Sequence, residues 1–432
     1  MFKNLLFLSI IMTIAAVFLV NTHQTEAQDL DPIPGAGWHY PWKDKYAEWK
    51  EPKEGIDERQ FDQEVEESYG YDAKNVDGIK EFLPKPLYII MKNDDVWGNR
   101  RINITPVLEN NSDLFKKYKE ETQKNKGKAK IDENGWLQNY VAGVPFPNPQ
   151  NGDELFWNFK HRFSEDDRIL SVANWVVNRR GQTKYQTSDG NLMFFQGRLT
   201  CDPKPDYEPN PDNLYRIDVY ANMQPYELRG TLSVIKQFQS PDKSDELYMY
   251  LPSLRRVRHL STAQRTDRLP GGQDLMWDNF DSFNGSPADW NCEMKGKKKM
   301  LVGHNCKPES AWVDGEHLSG VDQYYQYRDC YVNELTPVDP NYPYQRVIQY
   351  VDAETYVPYY SVWYDQEGKL ALFSFFMYYM TSEGPYVAQV MNHVDMQRIH
   401  STGYAATGPS YNNCLKPDYF SMRNLQNEYP AR

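Results

Sequence analysis

Three arginines, Arg255, Arg256 and Arg258, interrupt a run of strand-forming residues that reads ELYMYLPSLRRVRHLS from Glu246 to Ser261. A strand is usually half buried, and an unpaired buried guanidinium is prohibitively costly, so these cations must meet water, carboxylates or a ligand. Strict alternation sets Leu254, Arg256, Arg258 and Leu260 on one face and Arg255, Val257 and His259 on the other. Carboxylates follow at once: Asp267, Asp274, Asp278, Asp281 and Asp289, interleaved with Arg265 and Arg268. Paired acids can carry out hydrolysis without any sequence signature, so a general acid and base could lie among them. The simpler expectation is charge matching, in which this loop folds back and neutralises Arg255, Arg256 and Arg258 through charge-assisted links. One arginine face would then point where neighbouring strands send Met249 and Leu251, at a cavity mouth where apolar walls give way to polar groups.

Other chemistry is sparse. The chain has no Gly-x-Ser-x-Gly elbow, His-Glu-x-x-His pair, phosphate loop, dinucleotide fingerprint or Cys-x-x-Cys-His haem site. Its eight histidines are scattered. His304, His317, His393 and His400 could meet in space, but they read as structural residues, so neither a metal site nor a cofactor is expected. The five cysteines, Cys201, Cys292, Cys306, Cys330 and Cys414, suit two disulfides and one thiol in an oxidising compartment. Cys292 and Cys306, with 13 residues between them, are the preferred pair, and Cys201, Cys330 and Cys414 compete for the second.

The compartment is read from the first residues. Lys3 precedes an apolar run of 16 residues from Leu5 to Val20, and Thr25, Glu26 and Ala27 then offer a small-x-small cleavage site. This predicts a secretory signal over residues 1–27, cleaved after Ala27; an uncleaved membrane anchor is the weaker reading, because a spanning helix wants about 20 apolar residues. A net charge of −12 argues against nucleic acid as a partner. With 32 tyrosines and 11 tryptophans beside a mean hydropathy of −0.78, the composition fits a β-rich protein with amphipathic aromatics on half-wet surfaces.

The elements that must position these residues follow from the pattern. Residues 28–83 are polar, acidic and Pro-interrupted, a wrapping arm with one short helical stretch at DERQFDQEVEESYG. The stretch NSDLFKKYKEETQKN predicts a surface helix with a Ser or Asp N-cap. From Asn158 onward short alternating runs separated by turn residues predict an antiparallel meander, and RVIQYVDAETYVPYYSVWYDQEGKLALFSFFMYYM reads as two hairpins in succession. Its last strand is apolar on both faces, so something must cover the sheet on each side. The Pro-rich stretch 203–213 is a surface loop within this one domain, which spans 84–432.

Several stretches together resemble a family of bacterial periplasmic proteins labelled outer-membrane lipoprotein-sorting-like and encoded beside resistance-nodulation-division type transporters. They are NYVAGVPFPNPQNGDELFWNFKHRF (139–163), YLPSLRRVRHLS (250–261), RTDRLPGGQDLMWDNFDSFNG (265–285) and RVIQYVDAETYVPYYSVWYDQEGKL (346–370). The resemblance implies a fold similar to the lipoprotein carriers LolA and LolB: mainly β with helices, an incomplete antiparallel β-barrel whose concave face is covered by helices and encloses an apolar cavity. It implies a non-enzymatic periplasmic carrier or accessory protein that binds a hydrophobic or amphipathic, lipid-like molecule and works with such a transporter. Met249, Leu251, Arg255, Arg256, Arg258 and Trp277 are the expected ligand-contacting residues. The alternatives are a structural partner of an envelope complex and, further off, a periplasmic hydrolase using the acidic loop at 267–289.

Overall fold

A computed structural model describes residues 70–93, 101–105, 107, 112–240, 243–260, 262–304, 323–379 and 387–430. The signal segment, the arm before Gly70, Cys306 and His317 lie outside the described residues.

In chain order the strands are β1 (Gly70–Tyr71), β2 (Ile102–Ile104), β3 (Lys130–Ile131), β4 (Leu137–Gln138), β5 (Asp167–Val177), β6 (Thr183–Phe194), β7 (Leu214–Gln224), β8 (Leu232–Phe238) and β9 (Glu246–Leu251). There follow β10 (Arg256–Leu260), β11 (Trp290–Gly303), β12 (Gln323–Pro337), β13 (Tyr344–Asp352), β14 (Pro358–Asp365), β15 (Leu370–Tyr379), β16 (Val387–Asp395) and β17 (His400–Tyr411). All but β3 and β4 join one 15-stranded sheet in the order β1-β2-β12-β13-β14-β15-β16-β17-β5-β6-β7-β8-β9-β10, with β11 also on β12. Its pairs are antiparallel except β2 with β12. The ends, β10 and the β1, β11 side, do not pair with each other, so the sheet curves but stays open, as an incomplete barrel requires.

Two hairpin series meet at a seam where β17 pairs β5. Gly403 of β17 lies opposite Trp175 of β5, and a Cβ on Gly403 would fall 2.3 Å from the indole, so the close approach at the seam needs glycine. The predicted hairpins are present: β13 is joined to β14 through the DAET turn and β14 to β15 through DQEG, and Leu372, Phe373, Phe375, Phe376, Met377 and Tyr378 are buried as a strand covered on both faces requires. The meander starts later than expected, because the helix that precedes β5, Gly152–Lys160, takes in the first residues expected of it.

The helices fill in around the sheet. α1 (Lys85–Lys92) buries Leu87, Ile90 and Met91, and the preceding 3₁₀ segment Val76–Phe82 buries Val76 and Ile79 in the same core. α2 (Asp113–Asn125) begins at Ser112, whose hydroxyl accepts from the Phe115 amide, as an N-cap should. It buries Leu114, Phe115 and Tyr118 and turns its lysines outward. α3 (Gly152–Lys160), capped by Asn151, buries residues all round its circumference, including Leu155, Phe156, Trp157 and Phe159. Such a helix belongs inside a protein. On the opposite face of β6, β7 and β8, Met193, Ile217, Val219, Ala221, Leu232 and Val234 cluster with Phe420, Leu425 and Tyr429 of the C-terminal 3₁₀ turn and α4 (Met422–Glu428). The C-terminal segment is the cover on that side.

Adjacent carboxylates at the start of β5 fasten this cover. Asp166 accepts from the amides of Leu199, Thr200 and Cys201 at 2.6–2.7 Å, while Asp167 accepts from those of Asn413 and Leu415 at 2.6 and 3.0 Å. Between the two segments so held, Cys201 and Cys414 form a disulfide. This corrects the expected Cys292–Cys306 bridge: Cys292 on β11 and Cys330 on β12 are free thiols. Sequence proximity favoured the wrong pair because what brings Cys414 to Cys201 is the carboxylate clasp. Non-reducing peptide mapping should recover Cys201 linked to Cys414 with Cys292 alkylatable after denaturation, and Cys414→Ser should lower stability by about 2–5 kcal/mol in urea melts.

Candidate functional site

The connection from β10 to β11 has to cross the sheet, since these strands stand at opposite ends of it. Residues 262–289 make that crossing as three 3₁₀ turns, Thr262–Thr266, Trp277–Ser282 and Pro287–Asp289. Their apolar side chains, Leu269, Leu275, Trp277, Phe280 and Phe283, join the main core. Phe280 meets Tyr220 of β7 edge-on at 4.7 Å and Tyr404 of β17 at 5.8 Å, Trp277 meets Tyr220 at 5.7 Å, and Phe283 packs against Phe156 of α3 at 5.3 Å and Trp290 at 4.9 Å. Aromatic edge-to-face pairs of this kind are favourable beyond their buried area. The crossing segment is thus an aromatic plug on the inner face.

Polar links lock the plug along its whole length. Arg265 donates to Asp278 (2.8 Å), to Asp245 (3.2 Å) and to the Asn284 carbonyl (2.5 Å). Burial works against the Arg265 cation, but Asp278 and Asp245 together hold its pKa above the ordinary arginine value. Asp274 accepts from Thr402 Oγ1 (2.9 Å) and sits 2.6 Å from His400 Nδ1 on β17, with Arg268 bridging Asp274 and Asp395. Asp281 pairs with Arg162, and the Gln349 side chain donates to Ser282 (3.0 Å). Asp281 and Ser282 both hold positive φ, 53° and 73°. Two adjacent non-glycine residues in the left-handed region cost free energy that their fixed partners sustain.

The acidic loop is therefore charge-matched, but not to the arginines that prompted the expectation. Its partners are Arg162, Arg265, Arg268 and His400. Among the described residues no carboxylate pairs with Arg255, Arg256 or Arg258, and all three are exposed. The half-buried strand expected there is instead the last strand of the sheet, open to water, so its cations need no partner. Arg255 lies in the β9–β10 turn with φ 50°, outside the period-2 pattern. Within the strand the alternation holds. Arg258 lies opposite Met249 and Arg256 opposite Leu251, and directly opposed residues share a face. Met249 packs against the main core, which puts Arg256 and Arg258 at the margin of the inner face. His259, on the other face, stacks on Tyr248 at 4.9 Å. Trp277 is buried in the plug, not grouped with the arginines.

Sequence reasoning missed the buried charges behind the plug. Lys160, at the end of α3, points its amine at the Gly285 carbonyl (3.5 Å); burial drives its pKa down to about 7 against the pull of Asp245. Arg216 pairs with Asp218 (2.8 Å) and donates to Asn284 (3.0 Å). The signal was available in principle, since RID and FKHRF place charges inside apolar runs. Two cavities adjoin this layer. One, about 30 Å³, lies under Phe280 between an apolar side, Leu170, Val172, Leu192, Tyr220, Met391 and Tyr404, and a polar one, Arg168, Ser188, Asn191 and Asp218; the other, also about 30 Å³, is lined by Tyr118, Tyr140, Lys160, His161 and Tyr215. Each has room for about one water, far below the roughly 300 Å³ of a small-molecule pocket. No group of metal-ligating side chains occurs among the described residues, and no helix among them is long and apolar enough to cross a membrane.

An open sheet whose aromatic inner face is sealed by a separate, ion-paired segment of the same chain defines a lidded β-shell. The chain belongs to the family DUF1329, described as a protein of unknown function, whose model matches residues 71–426. It is 28% identical over 246 residues to the uncharacterized protein PA3922 of Pseudomonas aeruginosa, a match covering 54% of this chain and 50% of that one, so the chain spans about half the length of this curated relative. Solved structures similar to it include a DUF1329 family protein from Desulfovibrio piger (TM-score 0.47, 18% identity, 63% of this chain and 97% of that one). A domain described as outer membrane lipoprotein-sorting, from Vibrio parahaemolyticus, gives TM-score 0.48 and 16% identity over 64% and 98% of the two chains. The LolA superfamily protein NE2245 from Nitrosomonas europaea gives 0.40 and 14% over 61% and 94%.

Breaking the lock and removing the outer cations should have different effects. Arg265→Met strands Asp278 and Asp245 and should cost about 3–5 kcal/mol, whereas Arg258→Met, at an exposed position, should change stability by less than about 0.5 kcal/mol. Equal losses in urea titrations of the two variants would contradict this division.

Acid should also destabilise the fold through its interior histidines. Burial pushes His161, His304 and His393 down to about 3. Below the unfolded value near 6.5 the unfolded chain takes up protons that the folded one refuses, so stability falls with pH by up to about 1.4 kcal/mol per unit for each histidine. His393→Gln should flatten the fall measured between neutral pH and about pH 4.5, and an unaltered slope would exclude His393 from it.

Proposed function

We propose that this protein is a non-catalytic periplasmic carrier that shelters the apolar part of an amphipathic, lipid-like molecule against the inner face of its sheet, beneath the plug at 262–289. The observation that carries this reading is the sealed aromatic face. Leu170, Val172, Tyr220, Phe280, Met391 and Tyr404 already border a void, and the segment over them is held by polar links rather than woven into the sheet. An acyl chain in water costs about 0.8 kcal/mol per exposed methylene, so displacing aromatic side chains by a ligand's own hydrocarbon exchanges one buried apolar surface for another. The Pro270-Gly271-Gly272 sequence, with both glycines at φ 84°, and Gly285 bracket the segment that would move. Met249, Leu251, Arg256 and Arg258 then flank the margin where a head group would emerge, with Arg255 beside them in the turn and Trp277 lining the covered space. An inner-membrane transporter of the resistance-nodulation-division type is the partner this reading calls for.

Native mass spectrometry and lipid extraction of protein purified from its own host test the proposal. A reproducible bound amphiphile is expected; an empty protein that co-purifies with a membrane complex would favour a structural role. Phe280→Ala should enlarge the void under the plug and raise the affinity for an environment-sensitive naphthylamine dye at least several-fold. A variant that stays folded yet gains no dye binding would put the ligand elsewhere. Turnover lost in Asp274→Asn would replace the carrier reading with an enzymatic one.

A further inference from the structure

The two ends of strands β5 to β10 carry opposite charge. Pairing of Val177 with Thr183, Ala221 with Leu232 and Leu251 with Arg256 puts the β5–β6, β7–β8 and β9–β10 turns along one rim of the sheet. The first turn region exposes Arg179, Arg180 and Lys184, and the third exposes Arg255, Arg256 and Arg258. Neither holds a carboxylate, and none of the six cations has an ion-pair partner among the described residues. Between them the β7–β8 turn holds out Tyr226, 72% exposed, with Glu227 and Arg229 cancelling each other; Leu254 (48%) and Val257 (45%) project from the third turn. The opposite rim, where β6 passes to β7 and β8 to β9, carries Asp202, Asp206, Glu208, Asp212 and Asp245 against Lys204, Lys243 and the buried Arg198, and here the lysines are paired, Lys204 with Asp202 and Lys243 with Asp212. In a chain of net charge −12, six unpaired cations gathered at one rim are a directed field.

We propose that this rim docks on an anionic lipid surface, with Arg179, Arg180, Lys184, Arg255, Arg256 and Arg258 at the phosphates and Tyr226, Leu254 and Val257 entering the head-group layer. Guanidinium groups pair with phosphate oxygens in a bidentate fashion, and each cation near such a surface adds to the attraction. Tyrosine and aliphatic side chains beside them suit the interface between head group and chain. A protein strand adding to the free edge of β10 is the competing occupant, but exposed charges along an edge strand oppose that pairing. The acidic rim points away from the lipid and fixes one orientation. This inference shares Arg255, Arg256 and Arg258 with the proposed head-group margin, whereas Arg179, Arg180 and Lys184 belong to the rim alone, so their variants test docking apart from ligand binding.

Flotation of the full chain with vesicles tests it. Binding is expected to vesicles containing phosphatidylglycerol and not to phosphatidylcholine alone, and to weaken with added salt as screening shortens the reach of the charges. Arg255→Gln, Arg256→Gln and Arg258→Gln combined should lower the partition coefficient by about a hundredfold, and Arg179→Gln with Arg180→Gln by about twenty-fold or more, with melting temperatures unchanged. Leu254→Asn with Val257→Asn should weaken binding without altering the salt slope. Glu208→Gln with Asp212→Asn, on the far rim, should leave it intact. The proposal is overturned if the wild-type chain ignores anionic vesicles, if the triple variant binds as well as wild type, or if cross-linking from Arg255→Cys captures a protein strand while vesicles go unbound.

Discussion

An antiparallel sheet that curves without closing has two faces to cover, and burial of the inner, aromatic one is the constraint from which the remaining architecture follows. Left in water, Tyr220, Phe376, Tyr404 and Trp363 would make this face a broad apolar patch prone to association. α3 covers one part of that face, and the segment between β10 and β11 covers another. Topology dictates the second cover. Because the strands before and after it stand at opposite ends of the sheet, the chain has to traverse the face in any case, and it does so with aromatic side chains turned inward.

Charge does the locating that apolar packing leaves undetermined. Hydrophobic contacts are tolerant of small sliding motions, whereas Arg265 between Asp278 and Asp245, or Asp274 between His400 and Thr402, accepts one geometry. The same logic governs the other side of the sheet, where the neighbouring carboxylates of Asp166 and Asp167 hold two segments far apart in sequence and so position a disulfide between them. In both places a buried ion or anion fixes where a loop goes, and its apolar neighbours supply most of the free energy.

Much of the fold was legible in the sequence. The β13–β15 hairpins carry alternation on each side of turn residues, and the Ser112 cap announces α2. β11 was not legible, because its exposed half reads KGKKK, a charged run with a bulge at Gly296 that breaks the alternation. The loop's charge pairing was legible in kind but not in partner: the arginines within the loop, Arg268 six residues before Asp274 and Arg265 thirteen before Asp278, rather than those of the edge strand, took the carboxylates. Edge position is a property of the whole sheet, and no local pattern around Arg256 reports it. The bridge that formed, Cys201–Cys414, lay among the candidates for a second pair, but the preferred Cys292–Cys306 failed for a related reason: short spacing says nothing about a clasp whose halves are some two hundred residues apart.

Seen along its strands, the sheet is an arc, and the segment at 262–289 is a chord tied covalently to both ends of it. From β10 round to β11 the arc passes through about a dozen strand spacings, roughly 60 Å of curved surface. Because the chord's ends are joined covalently to β10 and β11, any lifting leaves the segment tethered at both ends of the face it covers, so it returns to that face without the search a free chain would need.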